Sequence, residues 1–135
     1  MRKSQVATEY LTIAVLSLTI LIPLITYIND LYVSYRDESN INLAKNSVSK
    51  MVKLSDWVCT QGEPARVNTM IYIPNNLEKI VFLNKTIVFK IKTKSGVVDI
   101  SESSTCNING SLPLFEGYYK VEIIAENDGV RLTVI

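Results

Sequence analysis

The residues of a type and position to do chemistry are few, and they fall into three groups. The first is Glu9, a single carboxylate that follows Arg2, Lys3 and Gln5 and stands immediately before an uncharged run from Tyr10 to Asn29. An ionised group beside a hydrocarbon phase is costly, so such a residue either faces a partner or marks the water end of the apolar run. The second group is Cys59 and Cys106. They are too far apart for a CxxC redox motif and suit a disulfide, with a pair of buried thiols as the alternative. If joined, they stabilise a small domain by about 3 to 4 kcal/mol on the chain-entropy model. The third group is two N-x-S/T triplets, Asn84-Lys85-Thr86 and Asn109-Gly110-Ser111. Both sit in stretches that read as turns, where an acceptor amide for a glycan is exposed.

Other chemistries lack their residues. The chain has no histidine, which removes the commonest general base and the commonest metal ligand. Two cysteines alone do not make a zinc site. No phosphate-cradling glycine motif, no hydrolase triad and no spaced carboxylate pair stands out, so no enzyme activity, cofactor or metal is expected. Fourteen Lys and Arg against 13 Asp and Glu give a net charge of +1 without basic blocks. Nucleic-acid binding, which needs a basic stripe, is therefore not expected either.

The element that positions Glu9 is the apolar run itself. At about 1.5 Å per residue, a helix over Tyr10–Asn29 covers roughly the 30 Å hydrocarbon core of a bilayer. Arg2 and Lys3 precede it, whereas Asp30, Asp37 and Glu38 follow, so the positive-inside rule puts the N-terminus in the cytoplasm and the remainder outside. Tyr10 near one end and Tyr27, Tyr32 and Tyr35 near the other suit the two interfaces. Thr8, Thr12, Thr19 and Thr26, with Pro23 between the last two, fall within one narrow stripe at 100° per residue. Such a small-residue face lets helices approach closely in lipid; equally, each hydroxyl can bond back to its own helix. Pro23 removes a backbone donor and is expected to kink or melt a turn.

Three fates of this segment compete. An ordinary cleaved secretory signal needs a small-residue site after the run, and Asn29-Asp30-Leu31-Tyr32 offers none. A simple uncleaved signal anchor accounts for the length and the charge asymmetry but gives Glu9 no role. The third rests on a resemblance. Lys3-Ser4-Gln5-Val6-Ala7-Thr8-Glu9-Tyr10-Leu11-Thr12-Ile13 resembles the class III signal peptide of archaeal type IV pilin-like proteins, in which a basic and a small residue precede Gln and a Glu stands four residues after it. Ser4 stands where Gly is common and Ala7 where Ser is common; both are small. The resemblance implies that a prepilin peptidase cuts between Ser4 and Gln5, so that residues 1–4 are a leader and Glu9 becomes the fifth mature residue. The new α-ammonium group lies close to Glu9 in sequence, and a neighbouring subunit's N-terminus could neutralise the carboxylate, making Glu9 an assembly key.

Beyond Asp30 about a hundred residues remain, enough for one domain. Ile41, Ala44, Val48, Met51, Val52 and Val58 share one helical face, so a second helical stretch is expected to pack on the head and to stop at Gln61-Gly62-Glu63-Pro64. Asp37-Glu38-Ser39-Asn40, weak in helix propensity, is expected to bend. Trp57 lies off the apolar face beside Cys59 and is expected to pack in the core. After Pro64 the pattern turns to alternation. Strands are expected at Arg66–Ile73, Lys79–Leu83, Thr86–Lys92, Val97–Ile100, Tyr118–Glu126 and Val130–Ile135, with a Cys106-tethered loop and a short strand in 102–112. Asn127-Asp128-Gly129 is a hairpin signal.

The reading is α+β: an N-terminal helix over 5–60 and a small antiparallel β-sandwich or barrel over 61–135. With the resemblance it implies a major or minor pilin, held in a membrane as precursor with its head outside. It then polymerises through its helix with copies of itself or other pilins into an adhesive surface filament. The rival is a signal-anchored surface domain that binds a ligand and never polymerises.

Overall fold

In this computed structural model, which describes residues 2–135, one helix is followed by seven strands. Met1, the first residue of the expected leader, lies outside the described residues. Helix α1 runs Arg2–Gln61. The strands are β1 Arg66–Ile73, β2 Leu77–Leu83, β3 Thr86–Thr93, β4 Gly96–Ser103, β5 Ile108–Gly110, β6 Gly117–Glu126 and β7 Gly129–Val134. Two compact units divide the chain, Met1–Arg36 and Asp37–Ile135.

The α+β reading holds, with a long apolar N-terminal helix and a strand-rich head. The strands form two open sheets, ordered β1-β6-β7-β5 and β2-β3-β4, and no closed barrel. Neighbours pair antiparallel except β5 and β7, which run parallel from Ile108↔Val130 to Gly110↔Leu132. Local pattern carries no sign of that pairing; close backbone approach permits it. A Cβ on Gly129 would come within 2.2 Å of the Asn107 carbonyl oxygen, and one on Gly110 within 2.6 Å of that of Leu132. Gly129 also holds φ at +151°, which side-chain-bearing residues rarely adopt.

The core of the second unit follows two periodicities. Along the helix Ala44, Val48, Met51, Val52 and Val58 are buried on one face. Along the strands alternate residues turn inward: Ile71 and Ile73, then Ile87, Phe89 and Ile91, then Val121, Ile123 and Ala125, then Val130 and Leu132. These side chains, with Leu77 and Ile108, form a single cluster drawn from the helix and both sheets. The helix stops where expected. Gly62 turns to φ +72° and its N–H bonds back to the carbonyls of Val58 and Cys59, both at 3.2 Å, after which Pro64 cannot continue the helix.

A melted turn, one of the two outcomes expected at Pro23, does not occur, because α1 continues through it. Nor is the helix interrupted at 37–40. There Asp37 Oδ2 accepts the Lys94 N–H of the β3–β4 turn at 2.8 Å and Asn40 is buried, so contacts within the head override weak propensity. Trp57 is 52% exposed and is no part of the core.

Candidate functional site

The first candidate is the surface of α1 up to Arg36. Every residue from Arg2 to Tyr32 is exposed, and the helix is long and apolar enough to cross a membrane. Lys3, Ser4 and Gln5 lie in its first turns, and Gln5 and Glu9 are one turn apart, on the same side of the helix. Among the described residues the Glu9 carboxylate has no hydrogen-bond or ion-pair partner. A lone carboxylate thus sits at the edge of an uncovered apolar cylinder.

The hydroxyl stripe behaves as self-satisfied donors. Thr12 donates to the Thr8 carbonyl, Thr19 to that of Val15 and Thr26 to that of Pro23, each at 2.8 Å. Thr8 reaches the carbonyls of Ser4 and Gln5 at 3.1 and 2.8 Å, and Ser17, off the stripe, reaches Ile13 at 2.8 Å. No second helix is needed to satisfy these donors. What the stripe offers a neighbour is a small, methyl-bearing surface.

The second candidate is a fastening at the far end of the helix. Cys59 and Cys106 form a disulfide, with Cα atoms 6.5 Å apart across 47 residues of sequence, so the pairing expectation holds over that of buried thiols. One turn earlier, Asp56 Oδ1 accepts hydrogen bonds from the Ser104 hydroxyl, from the Thr105 N–H at 2.9 Å and from the Thr105 hydroxyl at 3.0 Å. Burial alone would raise the Asp56 pKa, but these three donors together outweigh it and hold the carboxyl below the ordinary aspartate value. Asp56 stands off the apolar helical face, a position that pattern alone assigns to solvent.

Both sequon asparagines are exposed. Asn84 occupies the β2–β3 turn as expected, whereas Asn109 stands on β5 instead of in a turn. The fold makes them neighbours, because the Ile108 N–H donates to the Asn84 carbonyl at 2.6 Å. On the edge strand β1, the Tyr72 hydroxyl donates to Glu116 Oε1 at 2.7 Å. That bond raises its pKa, and burial and nearby negative charge add to the effect. No cluster of three or more metal-ligating side chains occurs among the described residues. Comparison with protein-family models, curated proteins and solved structures finds no match.

Proposed function

We propose that this chain is a structural subunit, a major or minor pilin, of a surface filament resembling archaeal type IV pili and serving in adhesion. The observation that carries the reading is the uncovered apolar helix with an unpartnered carboxylate at its edge. Burying apolar surface is worth roughly 25 cal/mol per Å², so the seventeen exposed large hydrophobic side chains from Val6 to Tyr35 call for lipid or for other helices. Before assembly the run sits in the membrane with the head outside. After cleavage between Ser4 and Gln5 by a prepilin peptidase, copies bundle through Thr12, Thr19, Pro23 and Thr26, and Glu9 sets their register against a neighbour's new α-ammonium group. The disulfide and the two exposed sequons at Asn84 and Asn109 suit an oxidising, glycosylating exterior.

The rival reading, a surface domain that stays anchored singly, gains from the self-satisfied threonines, since a lone helix in lipid needs nothing more. Glu9→Gln separates the two. The variant is expected to insert normally, recovered in the membrane fraction at wild-type level, and to yield no filament in the sheared surface fraction. Normal filaments would remove Glu9 from assembly.

A further inference from the structure

The segment that carries Cys106 also fastens both sequons. Cys106 is joined to Cys59, and Asp56 on the same helix accepts from the Ser104 hydroxyl and the Thr105 N–H. From there the chain straps the β2–β3 turn. The Ser104 N–H donates to the Lys85 carbonyl at 2.7 Å, and the Ile108 N–H to the Asn84 carbonyl at 2.6 Å. Asn84 itself is folded to φ +49°, in the left-handed region. The hydroxyl of Thr86, the last residue of its triplet, shares a hydrogen bond with the Ser103 hydroxyl at 3.0 Å.

The second triplet is pinned along its length. Asn109 and Gly110 pair with Arg131 and Leu132 of β7, and the Ser111 N–H donates to the Leu132 carbonyl at 3.3 Å. Gly110 packs so closely that a Cβ there would stand 2.6 Å from that same oxygen. The exposed Asn84 and Asn109 side chains therefore project from backbone that leaves the head only when strap and ladder bonds break together.

Glycan attachment demands that release. A transferase has to seat the asparagine amide at its catalytic centre and recognise the Ser or Thr hydroxyl of the same triplet, so it needs three consecutive residues free of other partners. In the step itself the amide nitrogen forms a bond to the anomeric carbon of a lipid-linked sugar. The bond from that carbon to the lipid phosphate breaks, and the amide gives up a proton. Disulfide closure competes with it. Two thiols pass two protons and two electrons to a disulfide-donating oxidoreductase, and Cys106, close before Asn109 in the chain, is then fixed to the helix.

We propose that Asn84 and Asn109 accept a glycan only while Cys59 and Cys106 are unlinked and residues 104–111 are unpaired, so that glycan transfer precedes disulfide closure. The proposal rests on the glycosylating exterior included in the function proposed above. Both side chains are exposed in the closed head, so a glycan added earlier does not obstruct folding. A chain that closes its disulfide first keeps bare sequons, and the relative rates of the two steps set its glycan content.

The full chain in detergent tests this with a purified oligosaccharyltransferase and a lipid-linked oligosaccharide. One sample is the native, disulfide-closed chain. The other is unfolded in urea, reduced and alkylated at both cysteines before its return to detergent. Peptide masses read occupancy at each asparagine. The expected result is transfer to both asparagines of the alkylated chain, and transfer slower by about tenfold or more at both in the native chain, where it waits on local opening. Comparable transfer to either asparagine of the native chain overturns the order and leaves the glycosylating exterior standing. A bare asparagine in the alkylated chain also overturns the proposal, and two bare asparagines withdraw the sequons from the exterior reading as well. The filament reading, tested through Glu9, is untouched by each of these results.

Discussion

The two units of this chain satisfy their backbone and their apolar side chains by opposite means. Up to Arg36 the polar groups are satisfied locally, by the helix ladder and by threonine and serine hydroxyls returned to carbonyls three or four residues back, while the apolar side chains from Val6 to Leu31 stay uncovered. From Asp37 onward satisfaction is long-range. Ser47 reaches Tyr72, Asp56 reaches Ser104 and Thr105, and Phe89, Met51 and Leu132 are fully buried in a shared core. The head brings its own interior, whereas the first unit has none among the described residues. The contrast separates a part with no buried core from a part that encloses one.

Paired truncations should break this symmetry most visibly. Phe89→Ala is expected to cost the head about 3 to 5 kcal/mol, a large share of the stability of a domain this size. Leu18→Ala should leave head unfolding within about 0.5 kcal/mol of wild type. Urea titration of the detergent-solubilised chain, followed through Trp57, measures both, and a comparable loss in the two variants would contradict the division.

Next in size is the covalent fastening. Replacing Cys59 and Cys106 together by serine should lower head stability by about 3 to 4 kcal/mol and leave membrane insertion unchanged. Loss of insertion in that variant would mean the units are not independent.

A smaller effect carries a pH signature. Asp56→Asn is expected to cost about 2 kcal/mol near neutral pH, because three hydrogen bonds to a carboxylate are weakened. The folded-state pKa of Asp56 lies below its ordinary value of 3.8, so its contribution is fully present above that value and is lost as the pH falls through the lower folded one. The gap between wild type and variant should therefore close on acidification below 3.8. A gap that persists there would assign the cost to packing.

What could be read in advance follows the same division. The apolar helix, the inward alternation of Ile87, Phe89 and Ile91, the hairpin at Asn127-Asp128-Gly129 and the helix stop at Gly62 are local signals, and each appears where the pattern puts it. What escaped depended on distant partners. The parallel β5–β7 pairing rests on Asn107 approaching Gly129, and β2 starts early, at Leu77, through an irregular register after a turn in which Asn76 takes φ +63°. The helix continues past Asp37 because Lys94 supplies a donor. Asn40, Ser47 and Ser55 are buried on a face that apolar periodicity assigned to hydrophobic residues alone. At the candidate sites, the cysteines and Glu9 were legible as isolated residue types. The Asp56 latch was not, because its donors arrive only once the disulfide has brought 104–106 to the helix.

The central claim is that the uncovered helix is shared between copies after its leader is removed. The most direct test is the intact mass of the chain in the sheared, pelletable surface fraction of the cells that make it. The account predicts a polypeptide that begins at Gln5 and sediments as polymer. A chain that retains Met1 and is found only in the membrane, as single copies, would contradict it.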